Sequence, residues 1–121
     1  MENQQIVVVG VSSDPNKYGY KIFSDLVKNN YSVIGVNPKA PIVAGQQTVA
    51  SLANIKTPID LVIIVTPPTI TLEVIRQAEK LGMKNIWLQP GAESEQVIKL
   101  AEELGINLTY NACFMMDQSI W

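Results

Sequence analysis

Four consecutive β-branched residues, Ile6-Val7-Val8-Val9, lead straight into Gly10 and a polar turn, Val11-Ser12-Ser13-Asp14-Pro15-Asn16-Lys17. Tyr18-Gly19-Tyr20 and an amphipathic stretch follow. An uninterrupted β-branched run is the pattern of a strand buried on both faces, as in a parallel sheet. Glycine and small hydroxyl residues then end the strand. A strand, a Gly/Ser turn and a helix in succession aim free backbone N–H groups and the positive end of the helix dipole at one place, where a phosphate is held. This stretch therefore predicts both a βαβ architecture and a nucleotide-phosphate cradle.

The rest of the chain repeats the alternation. Ile22, Phe23, Leu26 and Val27 recur at helical spacing among Lys21, Asp25 and Lys28, and Asn29-Asn30 closes that helix because asparagine tolerates the left-handed position. A second strand, Ser32 to Val36, stops at Asn37-Pro38-Lys39. From Ala40 to Pro58 the pattern is weak, with one helical turn around Val49 to Leu52. The third strand, Leu61 to Val65, runs into Thr66-Pro67-Pro68, where proline starts a helix without wasting a donor; that helix ends at Gly82. The fourth strand is Asn85 to Leu88, broken by Gln89-Pro90-Gly91. The next helix presents Val97, Leu100, Ala101 and Leu104 and ends at Gly105, and Ile106 to Tyr110 forms a fifth strand. Residues 111–121 carry no clear period. Strands alternating with helices at this spacing imply right-handed crossovers. The expected fold is α/β: one Rossmann-like domain, a five-stranded parallel sheet with helices on both faces.

Composition narrows the chemistry. With 121 residues, 47% of them apolar, and a formal net charge of -2, the chain reads as one soluble globular domain rather than a nucleic-acid binder. No apolar run approaches the roughly 20 residues of a membrane span, and the polar start, Met1 to Gln5, lacks a secretory signal's basic region. A lone cysteine, Cys113, excludes an internal disulfide and fits a reducing compartment, so a cytoplasmic protein is expected. Histidine is absent, which removes the commonest general base and metal ligand, and no metal site is expected.

Ligands of such sheets lie beyond the carboxyl ends of the strands, where strand order reverses. Four turns reach that edge: Gly10 to Lys17, Asn37 to Lys39, Thr66 to Pro68 and Gln89 to Ala92. Any one of them is an ordinary turn; together, with a lysine in each of the first two, they point to a site. The dinucleotide fingerprint G-x-G-x-x-G is not kept: Ser12 stands at the second glycine and Pro15 replaces the third. An NAD site ends its second strand with an acidic residue for the ribose hydroxyls, whereas this chain has Asn37-Pro38-Lys39. A lysine there favours a phosphorylated ribose. NADP and coenzyme A both carry one.

The stretches Gly10-Val11-Ser12-Ser13, Lys17-Tyr18-Gly19, Tyr31-Ser32-Val33, Val36-Asn37-Pro38-Lys39 and Trp87-Leu88-Gln89-Pro90-Gly91 resemble the small stand-alone CoA-binding proteins. These are similar to the CoA-binding domain of the succinyl-CoA synthetase alpha subunit. The resemblance runs in order from about Ile6 to Cys113 and implies a Rossmann-like fold that binds CoA or an acyl-CoA, with no established reaction. It also implies roles. Gly10, Ser12 and Ser13 would supply backbone and hydroxyl donors to the pyrophosphate, Lys17 would neutralise a phosphate, and Val11 and Tyr18 in the same stretch would belong to the binding site. Lys39 would reach the ribose 3′-phosphate. Asn37 and Pro38 would border the adenine or ribose, and Thr66, Pro67 and Pro68 would wall its other side. Gly91, at the start of the next helix, would let the pantetheine arm pass close to backbone, and Gln89 beside it would belong to the binding site.

The family's closing Asp-Arg-Cys is Asn111-Ala112-Cys113 here, so any anion contact of that aspartate and arginine is missing. Cys113 reads first as a small buried hydrophobe; the sharper reading sets it beside the CoA thiol, able to exchange disulfides with it. Tyr18 and Tyr20 read as packing groups, Trp87 as core, and Glu93 and Glu95 as carboxylates that suit a helix start. The apolar tail, Phe114-Met115-Met116 with Ile120 and Trp121, either folds back or meets a second copy. The favoured function is non-enzymatic CoA binding, with no acid–base set in the chain. The alternatives are an NADP-dependent oxidoreductase, for which the chain has no Tyr-x-x-x-Lys pair, and one subunit of an acyl-CoA ligase assembly, whose phosphohistidine it also lacks.

Overall fold

The computed structural model describes residues 4–121. Its strands are β1 (Gln5–Val9), β2 (Ser32–Val36), β3 (Ile42–Val43), β4 (Gln46–Val49), β5 (Leu61–Ile64), β6 (Asn85–Leu88) and β7 (Asn107–Thr109). Its helices are α1 (Tyr18–Lys28), α2 (Pro68–Lys80), α3 (Glu95–Glu103) and α4 (Phe114–Asp117), with one 3-10 turn at Leu52–Asn54. The strands form one sheet in the order β3-β4-β2-β1-β5-β6-β7. All neighbours are parallel except β3 and β4. Among the described residues no helix is long and apolar enough to cross a membrane.

The five expected strands are the sheet's centre and one edge, and the Rossmann-like class holds. The expected count of five is corrected to seven by the stretch after β2. There β4 adds to β2 in parallel and β3 folds back on it as a two-residue edge strand. The joining residues, Ala44 and Gly45, both have positive φ, 49° and 75°. The tight hairpin turn needs that conformation at both central positions, and sequences normally signal it with Asn-Gly or Asp-Gly. With alanine in the first place and strands this short, the hairpin leaves almost no pattern. The single turn expected around Val49 to Leu52 forms slightly later, as the 3-10 turn, where Ser51 and Asn54 cap one another.

The β-branched run is buried on both faces, as its composition requires. Val7 and Val9 face α2 and α3, packing with Val62, Ile64, Ile75, Ala78, Val97 and Ala101. Ile6 and Val8 face the other way, toward Ile22, Phe23 and Leu26 of α1 and Phe114 and Met115 of α4. Each such side chain contributes about 1.5–3 kcal/mol of burial, and both layers hang on alternate residues of one strand. Helix α4 lies in the tail that showed no period, because four residues are too few to display one. The tail folds back: Trp121 donates its indole N–H to Asp25 at 2.7 Å and stacks at a tilt on Tyr18, ring centres 5.7 Å apart.

Gly10 leaves β1 at φ 102°, a conformation that glycine adopts freely. Gly19, in the first turn of α1, comes closer still. A Cβ there would overlap the Gly10 carbonyl oxygen and meet Val11 Cα at 3.4 Å. This is the close helix-on-strand approach that the third glycine of a dinucleotide fingerprint serves. Here it stands farther along, after a longer turn, and not at Pro15. We expect Gly19→Ala to push α1 off the turn and destabilise the fold by about 2–3 kcal/mol or more, read as a lowered thermal midpoint. An unchanged midpoint would show that α1 does not depend on this contact.

Candidate functional site

Strand order reverses at β1, with β2 on one side and β5 on the other. The turns after β1 and β5 therefore lead to helices on opposite faces, and a crevice opens between them at the carboxyl edge. A cleft of about 270 Å³ lies there. Among the expected site residues, Gly10, Val11, Asn37, Pro38 and Thr66 line it together. They come from three separate turns, and the parallel register of β1, β2 and β5 brings the turns level.

Several of these side chains are engaged within the protein. Asn37 donates its amide to the Val11 carbonyl at 2.7 Å and accepts the backbone N–H groups of Lys39 and Ala40 at 2.7 and 3.0 Å. It thus ties the turn after β1 to the turn after β2. Thr66 Oγ1 pairs with Thr71 Oγ1 at 2.9 Å, fixing the start of α2. Pro67 is the residue before that helix and Pro68 its first position. In the first turn, Ser12 Oγ accepts the Asp14 N–H at 3.1 Å, and Asp14 accepts the Asn16 N–H through Oδ1 at 3.0 Å and the Lys17 N–H through its carbonyl at 3.0 Å. The Asp14 carboxylate therefore belongs to the loop, a negative group that sequence reasoning left out of the cradle. Lys17 occupies the cap position of α1, and no side chain caps that helix. Ser13, Lys17 and Lys39 are exposed.

A second group of expected residues meets on the β6 side, apart from the cleft. Gln89 is wholly buried. Its amide donates to Tyr18 Oη at 3.1 Å and to Cys113 Sγ at 3.5 Å, while its oxygen accepts the Phe114 N–H at 2.7 Å. Tyr18 Oη and Cys113 Sγ lie 3.5 Å apart. Gln89 thus binds the start of α1 to the start of α4, and the side chain is spent inside rather than presented to the edge. Burial acts to raise the Cys113 thiol. The Tyr18 hydroxyl, the Met116 N–H, the Gln89 amide and the Met115 N–H outweigh it and hold the thiol below its ordinary value. Tyr18 moves the opposite way: burial, its bond to Cys113 and the charge on that sulfur raise it well above the usual phenol range, against the donation from Gln89. Both shifts share one contact, Tyr18 Oη to Cys113 Sγ, which favours the thiol as the group of the pair that ionises more readily.

Gly91 is exposed at φ 101° in the loop before α3, whose cap is Ser94. The expectation that it opens the helix is corrected: the helix starts at Glu95, because the Ser94 hydroxyl accepts the Val97 N–H at 3.2 Å. Glu93 accepts the Gly91 N–H at 3.0 Å. The rest of the cleft's wall, which includes Ser51, Leu52, Ile70, Val74 and Gln77, escaped sequence reasoning. The Ser51-to-Asn54 capping pattern was its one visible signal.

A family model described as a CoA binding domain matches residues 4–119. A conserved hypothetical protein from Pyrococcus furiosus has a solved structure that superposes with a TM-score of 0.90, at 33% identity, covering 94% of this chain and 98% of that one. The uncharacterized protein YneT of Bacillus subtilis is 24% identical over 118 residues, 98% of this chain and 87% of its own length. The alpha subunit of acetate–CoA ligase (ADP-forming) II from Pyrococcus furiosus is 25% identical over 119 residues, and the matched part is 26% of that subunit.

The thiol geometry predicts a pH dependence. Alkylation of Cys113 by iodoacetamide should follow a thiolate that persists below the ordinary cysteine range, and Tyr18→Phe, which removes a donor to that thiolate, should move the midpoint upward. An unshifted midpoint in the variant would mean that the hydroxyl does not donate to sulfur.

Proposed function

This chain belongs to the CoA-binding domain family, and on that premise we propose that it binds coenzyme A, or an acyl-CoA, along the carboxyl edge of its sheet, with no catalysis of its own. The observation that carries this reading is the cleft at the reversal of strand order, with the Gly10 turn at one end and an uncapped α1 behind that turn. In this reading the adenosine half enters between Asn37-Pro38 and Thr66-Pro67-Pro68. The pyrophosphate lies over Gly10, Val11, Ser12 and Ser13, where backbone N–H groups and the α1 dipole favour negative charge. Lys17 and Lys39, exposed on two neighbouring turns, neutralise the pyrophosphate and the ribose 3′-phosphate. The pantetheine arm passes Gly91 toward Cys113. Gln89 supports this path from beneath, since its amide is engaged with Tyr18 and Cys113.

A second reading, as a part working beside other subunits, is favoured by the ligase relative, in which a matching segment makes up about a quarter of an alpha subunit. It adds a partner and leaves the ligand unchanged. An NADP-dependent reductase has no observation in its favour.

Calorimetry separates these statements. Coenzyme A should bind more tightly than dephospho-CoA, and Lys39→Ala should weaken CoA about tenfold while leaving dephospho-CoA unchanged, the gap narrowing as salt screens an exposed contact. Equal affinities for the two ligands would remove Lys39 from the site. Absence of binding to either would end the CoA reading.

A further inference from the structure

The cleft has apolar walls and few polar groups, and most of those are already committed. Val9, Val36, Leu52, Ile70 and Val74 supply flat aliphatic surface. Both ends of the Asn37 amide are bonded within the protein. Thr71 Oγ1 lies within bonding distance of the Pro67 and Thr66 carbonyls, so it donates there and takes the proton of Thr66 Oγ1. Ser51 Oγ is engaged as the cap of the 3-10 turn, accepting backbone N–H groups there, Ala53's among them, and keeps its hydroxyl proton free. Gln77 of α2 differs. It lines the same cleft, is half-buried, and among the described residues its side chain makes no hydrogen bond.

We propose that Gln77 reads the edge of the base held in the cleft and sets a preference for a 6-aminopurine. A carboxamide presents a donor and an acceptor side by side, and the adenine edge offers the matching pair, an amino donor beside a ring-nitrogen acceptor. Stacking against aliphatic walls supplies affinity without distinguishing bases. Discrimination therefore falls to the side chain that still has both kinds of bonding capacity free. A base lacking the amino group leaves the Gln77 oxygen unpaired in a partly desolvated place, which is how a polar group rejects the wrong ligand. The inference rests on the CoA reading and adds to it the determinant of base preference.

Calorimetry with two ligands tests it: coenzyme A, and its analogue with hydrogen in place of the adenine 6-amino group. The wild-type chain should bind CoA about tenfold more tightly than the analogue. Gln77→Met, close in shape but without the amide, should bind both within about twofold. A variant that keeps the full preference overturns the assignment, and so does a wild type that does not distinguish the ligands. The wild-type comparison decides even if the variant fails to fold. A wild type that binds CoA and the analogue alike defeats the Gln77 assignment alone, whereas no binding of CoA by the wild type defeats the CoA reading and this inference together.

Discussion

The carbonyl oxygen of Gly10 sits so close to Gly19 that no side chain fits between them. Through that contact α1 rests directly on the turn that leaves β1. The helix can then bury Ile22, Phe23 and Leu26 against Ile6 and Val8 while its first turn stays beside the Gly10 loop. A bulkier residue at position 19 would lift the helix start, and the packing of α1 and the shape of the Gly10 turn would be lost together. The same strand also divides the molecule: Val7 and Val9 anchor α2 and α3 on the opposite face. Parallel sheets of this kind leave their turns on one edge, and the reversal at β1 opens the crevice there.

Along the carboxyl edge the polar side chains divide into struts and free groups. Asn37 and Gln89 each join two loops, the first holding the turns after β1 and β2 and the second holding α1 to α4. Amides withdrawn wholly or partly from water, as Gln89 and Asn37 are, are fixed by satisfying both ends, since an unpaired one is costly. The exposed lysines are bound to no such task, and their long stems can follow a phosphate. Tyr18 stands between the two kinds. Its ring lies against Trp121 and its hydroxyl enters the buried node, so the tail, α1 and the loop after β6 meet at one residue.

Much of this was legible in the residues themselves. Every strand of the β2-β1-β5-β6-β7 block has a sequence signal, strongest in β1 and β5, where burial on both faces demands apolar β-branched runs. Asn30, at φ 64°, closes α1 as its type suggests. The hairpin of β3 and β4 was not legible, since Ala44 carries a left-handed turn without advertising it. Nor was α4, whose Phe114 and Met115 are buried by contacts with distant strands rather than by a pattern of their own. At the site, Gly10, Asn37 and Thr66 could be singled out as turn residues on one edge. Gln77 could not, because on the sequence it is one polar residue of an amphipathic helix.

What the sequence by itself determined is the alternation of strand and helix, the parallel sheet and the position of the Gly10 turn, because these follow from local hydrophobic period and from glycine and proline geometry. The tertiary structure alone decided which polar groups stay free at the carboxyl edge and which hold the frame. Hydrogen-bond partners such as Gln89 with Tyr18 and Cys113, separated by 71 and 24 residues, exist only after the sheet has set its strand order. No local pattern records whether an amide will be spent inside or left free at the edge of a cleft.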